Sequence, residues 1–507
     1  MALSHVNGVV LSGVRGAMVR VEVEVATGLP SVGVVGLPDA SVNESRWRAR
    51  SAITAVGATW PNQRVTINLS PAEVRKLGAG LDLPIAVGVL LASGQLQGPD
   101  VSDVAFIGEL GLDGRLHGTG GALAGALAAR AAGLARVIVP VEGAADVSRL
   151  SGVGVHLARD LAQVVEIVSG RDAGEAVMSE PASDATLGSD FRDVRGHEHA
   201  RFALEVAAAG GHHVAFVGPP GVGKTLLAER LPGILPDLDD NEALDVAAIA
   251  AVAGGSRSAS CFTRPPFQAP HHSASTAAIL GAVHGSRVAP GAVTLAHRGV
   301  LFLDEAPEFA RPVLEGLRQP LESGLIRLAR SGWSGLLPAT FQLVLAANPC
   351  PCGLRVGAGH ECSCPPAALR RYAARLSGPL LDRVDIRLAV TRPATAELAA
   401  VRAPDDSATM RVRVEAARDR SRARLCGSRW STNAAVPAGE LRRRWPLSGA
   451  AADFLVDVER RAANLRGPDR VLRMAWTIAD LAGREAPSRD DVARALTLRG
   501  AALPWTG

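Results

Sequence analysis

The stretch Gly218-Pro219-Pro220-Gly221-Val222-Gly223-Lys224-Thr225 decides the fold of this 507-residue chain. It fits the pattern G-x-x-x-x-G-K-S/T, in which backbone amides surround phosphate oxygens, the lysine reaches the terminal phosphates and the hydroxyl binds Mg²⁺. The apolar run 213–217 before it reads as a buried strand, and residues 226–231 read as the start of a helix. This strand, loop and helix order predicts a site for a nucleoside triphosphate and Mg²⁺.

The lysines of the chain support the same interpretation. Lys76 and Lys224 are the two lysines among 54 basic residues, so an accidental glycine loop with a lysine in this frame is a weak alternative.

Length and composition limit the class of protein. A chain of 507 residues exceeds what one core usually supports, which predicts two to four domains. Neither a signal-peptide pattern nor a charge-free apolar run of about 18 residues is found, so we expect a cytoplasmic protein without a membrane span. The formal net charge of +4 permits nucleic-acid binding without arguing for it.

Two further apolar runs end in polar side chains. The run that ends at Leu303 leads into Asp304 and Glu305, and the run that ends at Ala347 leads into Asn348. Buried parallel strands have this appearance. We predict that Asp304 holds Mg²⁺, that Glu305 polarises an attacking water and that Asn348 orients that water. The alternatives are a structural acid pair and an asparagine that merely begins a loop.

Four of the six cysteines form a compact cluster. Cys350, Cys352, Cys362 and Cys364 make two C-x-C pairs separated by nine residues. Two close pairs of thiolates can complete a tetrahedral Zn²⁺ site, so we predict a structural zinc in a reducing compartment. His360 is an alternative ligand, and Cys261 and Cys426 are interpreted as ordinary thiols.

The first 171 residues resemble the proteolytic domain of the Lon protease. The resemblance rests on strands followed by helices and on the phrases Gly108-Glu109-Leu110, Gly120-Gly121 and Ile138-Val139-Pro140. In Lon, a nucleophilic serine opens the helix after a glycine turn and a lysine follows the Gly-Gly pair, as nucleophile and base require. Here the matching segments are 80–83 and 122–124, which contain neither group. We therefore expect a catalytically silent domain, no protease activity, and a structural role for Asp82.

The later motifs resemble an AAA+ ATPase. Phosphate loop, acidic strand, asparagine strand, an arginine turn at 378–385 and a carboxyl-terminal helical region follow one another in that order. The insert at 264–275 and the segment 320–330, which resembles an extra hairpin, are typical of the clade of magnesium-chelatase I subunits and MCM helicases. With the Lon-like front, the whole chain is similar to the magnesium-chelatase-like YifB/ComM family.

This resemblance implies an α/β chain with four parts. These are a Lon-protease-like α+β domain with the ribosomal-protein-S5 fold (1–171), a linker (172–190), an AAA+ P-loop core with insert, hairpin and cysteine loop (191–392), and a magnesium-chelatase-like helical lid (393–507). It implies an ATP-hydrolysing homo-hexamer that moves single-stranded or branched DNA, a helicase promoting branch migration in recombination and natural transformation together with recombination proteins. The alternative is a chelatase-like or chaperone-type remodeller of a protein partner.

Site residues follow from the resemblance position by position. Residues 218–225 are Walker A, Asp304 and Glu305 are Walker B, and Asn348 is sensor 1. Arg383 is the arginine finger for a neighbouring subunit, and Arg466 is the first choice for sensor 2. The further sensor 2 candidates are Arg470 and Arg473; the candidates for DNA contact are Arg327 and Arg330, with His271 and His272 as weaker ones. Solvated or intersubunit arginines are the alternative to DNA contact.

Overall fold

The computed structural model describes residues 2–71, 76, 80–97, 100–174, 189–254, 263–284, 287–330, 333–355, 361–393, 404–461 and 466–500. The predicted linker therefore lies largely outside the described residues.

The amino-terminal part is a mixed sheet with helices. Its strands are β1 (Ala2–Ser12), β2 (Arg15–Ala26), β3 (Ser31–Val35), β4 (Arg64–Ser70), β5 (Val104–Phe106), β6 (Glu109–Leu110), β7 (Leu116–His117), β8 (Arg136–Pro140) and β9 (Gly154–Ala158), and its helices are α1 (Ala40–Ala55), α2 (Asp82–Ala92), α3 (Ala122–Ala131), α4 (Ala144–Val147) and α5 (Leu161–Val168). Among the described residues seven strands form one sheet in the order β3-β4-β2-β1-β5-β8-β9. The valines at alternate positions of β2, Val19 to Val25, are buried, because successive side chains of a strand point to opposite faces.

The central part is built on a parallel sheet. Its strands are β10 (Val214–Val217), β11 (Phe267–Gln268), β12 (Ala282–His284), β13 (Arg287–Ala289), β14 (Val300–Leu303), β15 (Leu325–Arg330), β16 (Trp333–Pro338), β17 (Gln342–Ala347) and β18 (Ile386–Ala389). Its helices are α6 (Glu198–Gly210), α7 (Lys224–Ile234), α8 (Asp240–Val252), α9 (Thr276–Leu280), α10 (Ala292–Leu295), α11 (Arg311–Gly316), α12 (Arg318–Ser323), α13 (Pro366–Ala373) and α14 (Gly378–Leu381).

Five of these strands run parallel in the order β11-β14-β17-β10-β18. Every residue of β10, β14 and β17 is buried, as expected for a parallel sheet covered on both faces. All five strands end on one side of the sheet, here called the carboxyl edge, and begin on the other, the amino edge. The phosphate loop, Asp304 and Asn348 consequently lie together at the carboxyl edge.

The carboxyl-terminal part is helical, with α15 (Ser407–Leu425), α16 (Ala438–Arg444), α17 (Gly449–Arg461), α18 (Arg466–Leu481) and α19 (Arg489–Arg499). Met410 and Val414 of α15 share one hydrophobic cluster with Leu204 of α6 and Leu231 of α7. Helix α15 therefore packs on α6 and α7 of the central part. In the described part of the chain, no helix is both long and apolar enough to cross a membrane.

The amino-terminal part packs against the central part at two places. Leu123 of α3 shares a hydrophobic cluster with Leu244 of α8, and Arg130 donates a hydrogen bond to Asn241 across 3.1 Å. At the turn between β1 and β2, Val14 is buried in the same cluster as Leu337 of β16. The two parts are thus joined by apolar contacts as well as by the chain.

Candidate active site

The phosphate loop connects β10 to α7 at the carboxyl edge. Gly221 and Gly223 have φ angles of 74° and 88°, a conformation that favours glycine. A Cβ atom on Gly218 would lie 2.0 Å from the carbonyl oxygen of Val390, so this position requires glycine for a close approach to the chain after β18. Helix α7 begins directly after this loop, with Gly223 as its first flanking residue, and the free amide groups of a helix start bind phosphate oxygens.

Lys224 lies buried at the centre of the site. Its ammonium group donates hydrogen bonds to the carbonyl oxygens of Gly218 (2.7 Å) and Pro219 (2.8 Å) and to Oδ1 of Asn348 (3.0 Å). Burial lowers the pKa of Lys224, while the charges of Asp304 and Glu305 act in the opposite direction. The structure therefore brings the lysine, both acidic residues and the asparagine to one place.

The acidic residues continue β14 next to the phosphate loop. Asp304 Oδ2 accepts a hydrogen bond from the hydroxyl of Thr225 at 2.7 Å, and its Oδ1 accepts one from the backbone N–H of Glu305 at 2.9 Å. A hydroxyl and a carboxylate oxygen this close are ligands of the type that Mg²⁺ prefers. The pair therefore fits a magnesium ion bound to a triphosphate, and that ion would neutralise charge on the β- and γ-phosphate oxygens.

The two histidines of the insert also lie at this edge. His272 Nδ1 is 3.1 Å from Glu305 Oε2, and His271 Nδ1 is 2.7 Å from the hydroxyl oxygen of Ser273. They follow β11, the strand next to β14. The structure gives His272 a partner in the nucleotide site, which the sequence analysis did not foresee, and DNA contact by these histidines stays a prediction.

A second group of arginines lies at the amino edge. A cleft of about 710 Å³ is lined by the arginines 383, 429, 466, 470 and 473 together with Asp382 and Asp385. Arg466 forms an ion pair with Asp382 at 3.0 Å, and Arg383 contacts Glu322. The four residues of β10 separate this cleft from the phosphate loop by about 13 Å at 3.3 Å per residue. Arg383 and Arg466 therefore lie together, and away from the phosphate loop of their own chain.

Asp385 anchors the cleft to the core. It is buried, forms an ion pair with Arg470 at 2.9 Å and lies 3.2 Å from His212 Nδ1. Burial raises the pKa of Asp385, but Arg470 and His212 outweigh that effect and hold the pKa well below its usual range. Its position directly before β18 is the sequence signal that could have identified it.

Comparisons with known proteins cover nearly the whole chain. The family profile described as magnesium chelatase, subunit ChlI, matches residues 190–398, the profile described as subunit ChlI of Mg-chelatase matches 21–143, and the ChlI C-terminal profile matches 404–499. The protein YifB of Escherichia coli is 39% identical over 501 residues, which cover 98% of this chain and 97% of YifB. The competence protein ComM of Haemophilus influenzae is 37% identical over 506 residues, 98% of each chain.

The chain belongs to the magnesium-chelatase-like YifB/ComM family. An uncharacterized protein of Mycobacterium tuberculosis is 44% identical over 504 residues, 98% of this chain and 99% of that protein. Membership in this AAA+ family carries ATP and Mg²⁺ as the expected ligands of the phosphate loop. It also confirms the resemblance drawn from the motifs.

The cysteine cluster of this YifB/ComM family member packs beside the phosphate loop. Each of Cys350, Cys352, Cys362 and Cys364 offers a sulfur, and all four sulfurs lie within 4.8 Å of one another. Three of the distances are 3.3, 3.7 and 3.6 Å, whereas tetrahedral zinc with bonds of about 2.3 Å needs about 3.8 Å. Gly353 packs against the ring of Pro220, where an added Cβ would lie 2.7 Å away. The four sulfurs therefore fit a zinc ion. Of the other candidates, His360 and Cys261 lie outside the described residues, and Cys426 is exposed.

The predicted hairpin is present as β15 and β16, which pair antiparallel from Leu325 with Pro338 to Arg330 with Trp333. Arg327 is exposed on β15, and its guanidinium has no hydrogen-bond or ion-pair partner among the described residues. Arg330 is the last residue of β15, and its side chain lies outside the part of the chain that the structure describes. Among the hairpin side chains that the structure describes, Arg327 thus presents an unpaired cation to solvent.

Proposed function

We propose that this protein is an ATP-hydrolysing subunit of a hexameric ring that moves DNA. The observation that carries the proposal is the separation of two half-sites. The phosphate loop with Lys224 and Asp304 lies at the carboxyl edge, and the cleft with Arg383 and Arg466 lies at the amino edge. A phosphate charge that needs both halves has to lie between two copies of the chain.

The roles of the residues at the carboxyl edge follow from their contacts. Lys224 exchanges its contacts with the loop carbonyls for the β- and γ-phosphates, while Thr225 and Asp304 hold the magnesium ion. Glu305, 51% exposed at its side chain, polarises the attacking water. Asn348, which already meets Lys224, orients that water toward the γ-phosphate.

At the amino edge, two arginines have hydrogen-bond donors that an anion could use. The Nε atoms of Arg383 and Arg473 are buried without a hydrogen-bond partner in the part of the chain that the structure describes. An anionic oxygen that enters the cleft would give these two donors a partner. We infer that Arg383, with Arg466 and Arg473 in the same cleft, supplies positive charge to a neighbour's γ-phosphate.

DNA is the partner that the family relationship favours. The relative ComM is named a competence protein, and the YifB/ComM resemblance implies branch migration on single-stranded or branched DNA. We propose that Arg327 on β15 contacts the phosphate backbone, with Arg330 beside it, which gives grip without sequence preference.

The test is migration of a three-stranded DNA junction by wild type and by Lys224→Ala, with ATP hydrolysis measured with and without DNA. We expect DNA-stimulated hydrolysis and junction migration, both absent in the variant. Hydrolysis that ignores DNA together with a stationary junction would refute the motor. That result would favour the second candidate, a remodeller of a protein partner, which the three magnesium-chelatase family profiles support.

We also propose that residues 1–171 form a Lon-like domain without protease activity, followed by a linker at 172–190, a core at 191–392 and a lid at 393–507. Asp82 lies in the segment that matches the start of the helix carrying the nucleophilic serine in Lon. It is buried and accepts two hydrogen bonds from Arg48, of 2.6 and 3.0 Å. Burial raises the pKa of Asp82, and the bonds from Arg48 oppose the shift. A carboxylate committed to this ion pair is a structural group.

Finally, we propose that Cys350, Cys352, Cys362 and Cys364 hold a structural Zn²⁺. The ion would close the segment that begins directly after Asn348 and keep it against Pro220. No ligand position is left open for chemistry, because four thiolates complete a tetrahedron.

A further inference from the structure

The turn between β1 and β2 of the amino-terminal part reaches the β15–β16 hairpin. Val14 in this turn is 2% exposed and lies in one hydrophobic cluster with Ile326 and Leu337 of the hairpin. Gly13 has a φ angle of 71°, and an added Cβ would lie 3.0 Å from Leu337 Cδ2 and 3.8 Å from the carbonyl oxygen of Leu336. The two-residue turn is therefore in direct contact with β16.

The turn packs on the face of the hairpin that is opposite to Arg327. Ile326 pairs with Leu337, and Arg327 pairs with Leu336. The side chains of two paired residues lie on one face of a strand pair, and those of the next pair lie on the other face. Ile326 and Leu337 are buried, whereas Leu336 and Arg327 are exposed. The turn thus supports the hairpin from behind, and the other face presents Arg327 to solvent.

Helix α3 fixes the turn to the rest of the amino-terminal part. Strands β1 and β2 continue as a two-stranded ribbon past the residues that pair with β5 and β4. An added Cβ on Gly16 of β2 would lie 2.4 Å from the carbonyl oxygen of Ala124, and one on Gly121 would lie 2.7 Å from Leu11 Cδ2 of β1. Packing this close leaves no space for the ribbon to move independently of α3. The turn consequently moves with the amino-terminal part as a whole.

The hairpin depends on support of this kind. In the described structure β15 and β16 form a sheet of two strands, and a two-stranded hairpin is only marginally stable by itself. The insert of the central part supplies one contact, because an added Cβ on Gly281 would lie 3.3 Å from Leu328 Cδ1. The β1–β2 turn supplies another, and it comes from a different part of the chain.

We propose that Val14 is a positioning residue that holds the β15–β16 hairpin where Arg327 meets a DNA phosphate. The amino-terminal part, which lacks the serine and lysine of a protease, would then serve to support the DNA-contacting strand. This inference rests on the proposed DNA motor and deepens it, because it names a residue outside the ATPase core on which DNA binding depends. The hairpin lies before the start of β17 at the amino edge, so nucleotide binding at the carboxyl edge should not depend on Val14.

The experiment compares wild type with Val14→Ala, Val14→Ile and Arg327→Ala. The Kd of a fluorescein-labelled single-stranded thymidine oligonucleotide is measured by anisotropy at several salt concentrations, and kcat for ATP is measured without DNA. For Val14→Ala we expect the Kd to rise up to about fivefold, the upper range for one solvent-exposed charge contact. The slope of log Kd against log salt concentration should fall by about 0.7 for each phosphate contact that is lost. Val14→Ile keeps a branched apolar side chain and should stay close to wild type, and DNA-free kcat should be the same in both Val14 variants.

Two further variants separate support of the hairpin from general docking of the amino-terminal part. Arg130→Ala removes the hydrogen bond to Asn241 at the other contact between the two parts and should bind the oligonucleotide as wild type does. Val14→Ala combined with Arg327→Ala should bind no more weakly than Arg327→Ala alone, because Val14 acts through Arg327.

The outcomes distinguish this inference from the proposed function. A wild type that does not bind the oligonucleotide would overturn the DNA motor itself. If wild type binds, three results would each overturn the positioning role alone: an unchanged Kd in Val14→Ala, additive losses in the double variant, or equal losses of DNA affinity and of DNA-free hydrolysis.

Discussion

Asn348 accepts a hydrogen bond from Lys224 across 3.0 Å, although the two residues are 124 positions apart in the chain. The contact exists because β10 and β17 are parallel neighbours, with Val217 opposite Ala347, so the residues that follow them emerge side by side. The asparagine thus lies beside the position that a γ-phosphate bound by the lysine would take.

The first prediction distinguishes the role of Asn348 in hydrolysis from the role of Lys224 in nucleotide binding. Asn348→Ala should lower kcat for ATP about a hundredfold, as loss of one aligned polar group in an active site does, while the Kd for nucleotide changes little. Lys224→Ala should lose nucleotide binding, since it removes the buried cation. Phosphate release and titration with a fluorescent ADP analogue measure both quantities. Asn43→Ala, an exposed site in α1, is the control, and equal loss of affinity in both active-site variants would contradict the assignment.

The second prediction concerns Arg383. Arg383→Ala should bind nucleotide normally and lose hydrolysis about 10³-fold, the lower range for an arginine that completes a phosphoryl-transfer site. Because its own phosphate loop is intact, mixing it with Lys224→Ala subunits should restore activity at interfaces that combine one intact loop with one intact arginine. Phosphate release is measured across mixing ratios. Mixtures no more active than their components would show that Arg383 does not act on a neighbour.

The part of the site that could be predicted from sequence follows from unbroken apolar runs. The strands ending at Val217, Leu303 and Ala347 are fully buried, and such strands need continuous apolar sequence. Their polar ends then meet because the strands are parallel.

The contacts of the insert could not be predicted in this way. β11 is two residues long, too short to show any periodicity, so its place beside β14 leaves no signal in the sequence. The contact between His272 and Glu305 depends on that placement. The pairing of Arg470 with Asp385 depends in the same way on how α18 docks at the amino edge.

The third prediction tests the zinc site. Purified protein should contain about one zinc per chain, the number that a four-thiolate site holds. Cys350→Ser combined with Cys364→Ser should remove the metal and lower thermal stability, because the segment after Asn348 loses its cross-link. Cys426→Ser, an exposed cysteine elsewhere, is the matched control. Metal content by elemental analysis is the readout, and full zinc in the double variant would exclude these ligands.

The fourth prediction is a loss of stability on mild acidification. Burial, with smaller effects of Arg298 and Arg15, lowers the pKa of His297 to about 4, and its Nδ1 accepts the N–H of Thr340 at 3.0 Å. The pKa of this histidine in the unfolded chain is near 6.5. Between pH 6.5 and about pH 4, the histidine therefore binds a proton in the unfolded chain but not in the folded chain. The free energy of unfolding should therefore fall as pH falls through this window, by about 3 kcal/mol at most for one histidine.

His213 behaves in the same way, because burial lowers its pKa to about 4 as well. In His297→Asn the amide oxygen can still accept the N–H of Thr340, but it does not titrate, so the pH dependence should be roughly halved rather than abolished. Urea midpoints at pH 7 and pH 5 measure the difference, with His284→Asn as the exposed control. An unchanged difference between the two pH values in His297→Asn would mean that His297 is protonated in the folded protein, and its buried position next to Arg298 argues against that outcome.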